Sequence, residues 1–146
     1  MTIQGQSIGV ASSATGFDGL DGVLGLGPTG LTQGTTSGGG EIPTVVDNLF
    51  SQGTIGAPIL GVSFVPTTET SQNEELTFGG IDTSAIVGSV SYVPLTTTSP
   101  ASTFWGIDQS ISYGGTTILS ETAGIVDTGT TLILIATGER RIETGL

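Results

Sequence analysis

Ile125-Val126-Asp127-Thr128-Gly129-Thr130-Thr131 sets one carboxylate on a Gly/Thr turn, with Ala123-Gly124-Ile125-Val126 running into it and Leu132-Ile133-Leu134-Ile135 running out. Short apolar runs bounded by turn residues read as buried strands. A carboxylate between two buried strands is costly unless something compensates it. The Thr128 and Thr130 hydroxyls and the turn amides around Gly129 are the donors at hand. Taken alone, the motif is either an Asx-turn that joins two strands or a positioned acid/base group, and the first is the commoner use of an isolated Asp-Thr-Gly.

The rest of the chain supplies little else for chemistry. It contains no His, Cys or Lys, and its only cations are Arg140 and Arg141. Ser-His-Asp triads, thiolate nucleophiles and thiolate zinc sites are thereby excluded. Without Lys there is neither a Schiff base nor a Walker-type phosphate loop. Acid/base work by carboxylates survives, supported by hydroxyls and backbone amides. No cofactor and no metal are called for.

A chain of 146 residues is about one domain, a single unit or a piece of something larger. The net charge of -11 argues against nucleic acid, whose phosphates need Lys and Arg, and against anionic membrane surfaces. Thirteen carboxylates with two cationic partners repel one another near neutral pH and do so less when protonated, which suits an acidic working environment. Met1 to Gln6 carries no signal-peptide pattern, and no apolar run reaches membrane-spanning length.

Gly is abundant at 25 residues, and only 10% of residues are charged. Strand-like runs between turn signals fall at Gln6 to Ala11, Val23 to Leu26, Ile59 to Val65, Glu75 to Phe78, Ser89 to Leu95, Trp105 to Tyr113, Thr116 to Leu119, Ile125 to Asp127 and Leu132 to Ala136. The fold class expected is all-β, antiparallel with hairpins, plus one short helix. That helix has Pro43 at its first position, Val45, Val46, Leu49 and Phe50 at helical spacing, and Gly53 as its closing glycine. Leu31 to Gly40 and Pro66 to Asn73 read as surface loops.

Three further motifs have plain structural readings. Gly25-Leu26-Gly27-Pro28-Thr29-Gly30 satisfies G-x-G-x-x-G, but no helical pattern follows it, so a glycine-relieved crossing of packed strands is the better account. Asp18 and Asp21 lack calcium-loop spacing and read as turn aspartates. Glu74 and Glu75 read as a solvated hairpin end. A carbohydrate-binding module fits the composition, although Trp105 is the sole Trp to stack on a sugar.

At Ile125 to Thr131 the chain resembles the pepsin-type aspartic endopeptidases, whose signature is a hydrophobic pair followed by Asp-Thr-Gly-Ser/Thr. Phe17-Asp18-Gly19-Leu20-Asp21-Gly22-Val23-Leu24-Gly25-Leu26-Gly27 resembles the family's Asp-Gly-Ile-Leu-Gly-Leu segment. Val45 to Gly53, Leu76-Thr77-Phe78-Gly79-Gly80-Ile81-Asp82 and Phe104-Trp105-Gly106-Ile107 follow in the family's order. The likeness covers about residues 6 to 137 and is strongest to fungal, polyporopepsin-like proteases. It implies that Asp127 is the catalytic aspartate of a C-terminal lobe and that Thr128 bonds across the lobe interface. It further implies that the Gly129 N–H faces the carboxylate, that Thr130 bonds its outer oxygen, and that Leu24-Gly25 crosses beside the first aspartate of the other lobe.

The family's mechanism uses two aspartates that share a proton around an activated water. This chain has one Asp-Thr-Gly, and neither Tyr92 nor Tyr113 sits in a flap-like context. The resemblance therefore implies an internal, truncated piece of a partial pepsin-like acid protease fold. Residues 1–85 would be the latter part of the N-terminal lobe with the inter-lobe region, and 86–137 the first part of the C-terminal lobe. Residues 138–146 form an unmatched tail of the sort a truncated or mis-joined gene model produces. It implies an aspartic endopeptidase by descent, inactive alone, acting on protein or peptide substrates at acid pH, secreted or vacuolar. Its partners would be the missing lobe halves or a second copy that supplies Asp127 twice. The competing reading is a non-catalytic, protease-like β binding module or a poorly folded fragment.

Overall fold

The computed structural model describes residues 1–64, 74–130 and 132–136. The chain divides into two compact units, Met1–Ser91 and Tyr92–Leu146. Among the described residues each unit has one antiparallel strand pair: β1 (Leu60–Ser63) with β2 (Glu75–Phe78), and β3 (Gly106–Tyr113) with β4 (Thr116–Ile125).

In the first unit the helix forms as α1, Val45–Ser51. Its N-cap is Thr44, so the first helical residue is Val45 and Pro43, expected in that position, lies two residues before it. Local chemistry explains the shift, because Thr44 and Asp47 form a reciprocal capping box. The Thr44 N–H and hydroxyl both donate to Asp47 Oδ2 at 2.8 Å, and the Asp47 N–H donates back to Thr44 Oγ1 at 3.3 Å. Thr29, in the 3₁₀ turn Thr29–Thr32, donates a further bond to the same Oδ2 at 2.7 Å. The Thr29 hydroxyl, then the Thr44 amide and hydroxyl, hold Asp47 below the usual carboxylate value against the opposing effect of burial. The far end closes as the spacing predicts. Gly53 takes φ +68°, its N–H reaches Phe50 O at 2.9 Å, and the Thr54 N–H reaches Leu49 O at 2.9 Å, the paired bonds of a Schellman motif.

Leu49, 1% exposed, is the centre of this unit's small core, with Ile55 buried beside it in the chain's return from the helix. Gly79, at φ +88°, lies so close that a Cβ there would come within 2.8 Å of Ile55 Cβ, and its N–H bonds Ile59 O at 2.8 Å. The β1–β2 pair is thus anchored where it leaves β2.

In the second unit β3 and β4 are joined by Gly114-Gly115, with φ +56° and +79°, the pair of positive φ values a two-residue hairpin turn requires. The register slips between Gln109 and Ile111 and between Ile111 and Ser112, bending the ladder. Leu119 and Ala101 are buried, as is Thr96, whose hydroxyl donates to Asp108 Oδ1 at 2.7 Å and whose N–H donates to Gly106 O at 2.9 Å.

Several expected strands are absent. Gln6 to Ala11, Val23 to Leu26, Ser89 to Leu95 and Leu132 to Ala136 have no ladder. Most of their apolar residues lie open, with Ile8 82%, Val10 93% and Ile133 86% exposed. A strand forms only where a second one satisfies its N–H and C=O groups in a ladder. Conversely, Thr116 to Leu119 and the first residue of Ile125 to Asp127, read as separate runs, belong to one ten-residue strand ending at Ile125. Its middle, Ser120 to Gly124, is too small and polar to show alternation, yet it pairs through its backbone with β3. Leu31 to Gly40 has no regular structure beyond the end of the 3₁₀ turn. The loop at Pro66 to Asn73, Val65 and the tail 138–146 lie outside the described residues. Among the described residues α1 is the single α-helix, and no helix is long and apolar enough to cross a membrane.

Candidate active site

The β3–β4 ladder delivers Asp127. Gly106 pairs with Ile125, and the next rung, the Val126 N–H to Trp105 O at 2.9 Å, carries the pairing to the residue before the aspartate. There the chain turns. The Gly129 N–H donates to Asp127 Oδ1 at 2.9 Å, the Thr130 hydroxyl donates to Oδ2 at 2.6 Å, and the Thr130 N–H reaches the Asp127 carbonyl at 3.4 Å. Two donors therefore fix both carboxylate oxygens, one from the main chain and one from a side chain. A Cβ at Gly129 would stand 3.3 Å from Oδ1, so glycine leaves the carboxylate its closest approach to the amide. The Thr128 hydroxyl makes no hydrogen bond among the described residues.

The Thr130 hydroxyl first, and the Gly129 amide second, hold the Asp127 carboxyl below its ordinary value of 3.8. Both donors favour the charged form. The group therefore ionises more readily than a free aspartate and stands as a hydrogen-bond acceptor.

Burial differs from expectation. Asp127 lies exposed with its turn, and Val126 before it is 56% exposed. Residues 132–136 make no ladder over the turn, so the carboxylate is compensated by its two donors and by solvent instead of being enclosed between strands. The Trp105 carbonyl is the positioning group that residue-by-residue reading missed, because its signal lies in the backbone ladder and not in the indole.

Leu24-Gly25 is not part of a strand among the described residues, and a Cβ built at Gly25 meets nothing within 4 Å. The G-x-G-x-x-G run enters the four-residue 3₁₀ turn Thr29–Thr32, with no helix to receive a phosphate. Among the described residues no three His, Cys, Asp or Glu side chains gather as a metal site.

Comparison with known proteins gives a consistent result. The family model for eukaryotic aspartyl proteases matches residues 1–141. Polyporopepsin of Irpex lacteus is 64% identical over 140 residues, which is 93% of this chain and 41% of that protein. Rhizopuspepsin-1 of Rhizopus niveus is 40% identical over 92% of this chain and 33% of its own length. The crystal structure of the aspartic proteinase from Irpex lacteus superposes with a TM-score of 0.90 at 63% identity, covering 94% of this chain and 42% of that one. The chain therefore spans about two fifths or less of these relatives. Agreement in sequence and backbone over nearly all its residues makes it a member of the eukaryotic aspartyl protease family, carrying part of the pepsin-like fold.

Proposed function

We propose that this chain contributes one half of an aspartic endopeptidase site, with Asp127 as one carboxylate of a dyad that hydrolyses peptide bonds at acid pH. The observation that carries the reading is the clamp on Asp127: Gly129 N–H on Oδ1 and Thr130 hydroxyl on Oδ2. Such a clamp keeps a carboxylate charged and oriented, which is what activation of water asks of the base. A second carboxyl, supplied outside this chain's single Asp-Thr-Gly, would hold the shared proton and protonate the scissile carbonyl, since like charges in contact cannot both ionise. Thr128, beside the clamp and with its hydroxyl unengaged among the described residues, would bond across a lobe interface.

In this reading residues 1–85 are the latter part of one lobe, 86–137 the first part of the next, and 138–146 a tail. The substrates are proteins or peptides, and the place of action is outside the cell or in a vacuole. The isolated chain is inactive, because one carboxylate has neither its acid partner nor a flap to close over substrate.

The test is cleavage of a denatured protein at about pH 3.5, near the carboxylate range. The chain is assayed alone and after co-refolding with the complementary portions of a full-length family member. Cleavage is expected only after co-refolding and is expected to vanish with Asp127→Asn. Cleavage by the chain alone refutes its inactivity, and equal cleavage by Asp127→Asn refutes the role of Asp127.

A further inference from the structure

We propose that Asp18 and Asp21 are sites of spontaneous main-chain isomerisation, each passing through a cyclic imide with the glycine that follows it to an isoaspartyl linkage. The nitrogen of Gly19 attacks Asp18 Cγ and forms a C–N bond, and one carboxyl oxygen leaves as water. A water molecule then opens the five-membered ring. Opening at the former main-chain carbonyl carbon leaves the chain running through the side-chain carbon, one methylene longer. One water is lost and one regained, so no oxidant, reductant or further reactant takes part. Gly22 acts on Asp21 in the same way.

Three requirements coincide at these two positions and nowhere else among the aspartates. The attacked carboxyl is untied: those of Asp18 and Asp21 are exposed and accept no hydrogen bond among the described residues. The attacking amide is untied as well, since neither the Gly19 nor the Gly22 N–H has an acceptor there. The approach is open because neither following residue carries a Cβ, and one built at Gly19 or Gly22 would meet nothing within 4 Å. Asp18 sits in a β-turn closed by the Leu20 N–H to Phe17 O at 3.1 Å, with Gly19 at φ +80°, so no ladder resists the rotation that ring closure needs.

The remaining aspartates each fail a requirement. Asp47 has its Oδ2 held by Thr29 and Thr44, and the next amide, of Asn48, is bound to Thr44 O at 3.0 Å. Ser84 holds Asp82, which is followed by β-branched Thr83. Asp108 is bonded to Thr96 and lies within β3. Asp127 has both oxygens engaged and is followed by β-branched Thr128. The sites of change are thus separate from the candidate active site, which the structure protects.

Each passage through the imide takes one oxygen from solvent. The full chain is incubated in mildly acidic buffer made with heavy-oxygen water, then digested, and label and isoaspartate are located by mass spectrometry. Labelling at Asp18 and Asp21 is expected to exceed that at Asp47, Asp82, Asp108 and Asp127 by roughly tenfold. Asp18→Glu, whose ring would be six-membered, is expected to lose the label at that position while Asp21 continues to acquire it. Absence of label from both Asp-Gly sites, or equal labelling of Asp47 or Asp127, overturns the proposal.

Discussion

Replacing Gly106 by alanine tests whether the second unit is packed as described and whether that packing holds the aspartate's turn. A Cβ at Gly106 would overlap the Ala101 carbonyl oxygen and lie 2.8 Å from both the Ala101 carbonyl carbon and Thr96 Cγ2. Comfortable carbon contacts begin at about 3.5 Å, so the neighbours would have to retreat by nearly an ångström. They cannot do so freely. Ala101 O accepts the Phe104 N–H at 3.0 Å, and the Gly106 carbonyl accepts the Thr96 N–H at 2.9 Å. Overpacking costs about 1–3 kcal/mol where side chains give way. Here the obstacle is main chain, so we expect about 3 kcal/mol, a large share of the few kcal/mol that stabilise a unit of this size. Gly124→Ala is the internal control, because there the new Cβ meets the Gln109 amide at 2.5 Å, the tip of a side chain that can swing aside. Its cost should stay below about 1.5 kcal/mol. Trp105 is the only tryptophan and adjoins Gly106, so urea unfolding followed by its fluorescence reports on this unit. A Gly106→Ala midpoint matching wild type, or a Gly124→Ala loss as large as that of Gly106→Ala, would refute the reasoning.

Asp47→Ala removes the acceptor of three hydrogen bonds and the reciprocal half of the helix cap, at an expected cost of about 1–2 kcal/mol in urea unfolding. The Asp47 pKa is depressed in the folded state, so its contribution is present above the ordinary value of 3.8 and is lost as pH falls through the folded value. The gap between Asp47→Ala and wild type should therefore shrink in strong acid, and a gap that widens there would contradict the assignment. Thr130→Val deletes the donor at 2.6 Å and should raise the Asp127 pKa toward the ordinary value, read by carbon NMR of its carboxyl. An unchanged titration would mean that the clamp is not what holds Asp127 ionised.

How much of this was legible in the residues depends on whether the cause was local. The helix and its glycine stop were readable because Val45, Val46, Leu49, Phe50 and Gly53 act within a few residues of one another. The start was misplaced by two residues because the Thr44–Asp47 exchange outweighs proline's preference for the first helical position. The Asp127 donors were readable because Gly129 and Thr130 lie within three residues of it. Gln6 to Ala11 and Leu132 to Ala136 were misread because an alternating or apolar run marks a segment able to form a strand without saying whether a partner exists.

The sequence by itself determined the chemistry open to this protein. A chain without His, Cys or Lys, with one Asp-Thr-Gly and family motifs in order, can do acid/base work through a carboxylate and little else. The tertiary structure decided where that carboxylate stands. The Val126-to-Trp105 rung brings it to the end of a ladder, two donors favour its charged form, and among the described residues no strand covers it, so it stands exposed. Residue type sets proton affinity and bonding capacity, which are properties of single groups. Burial and strand pairing are properties of distant segments meeting, and only the folded chain specifies which of them do.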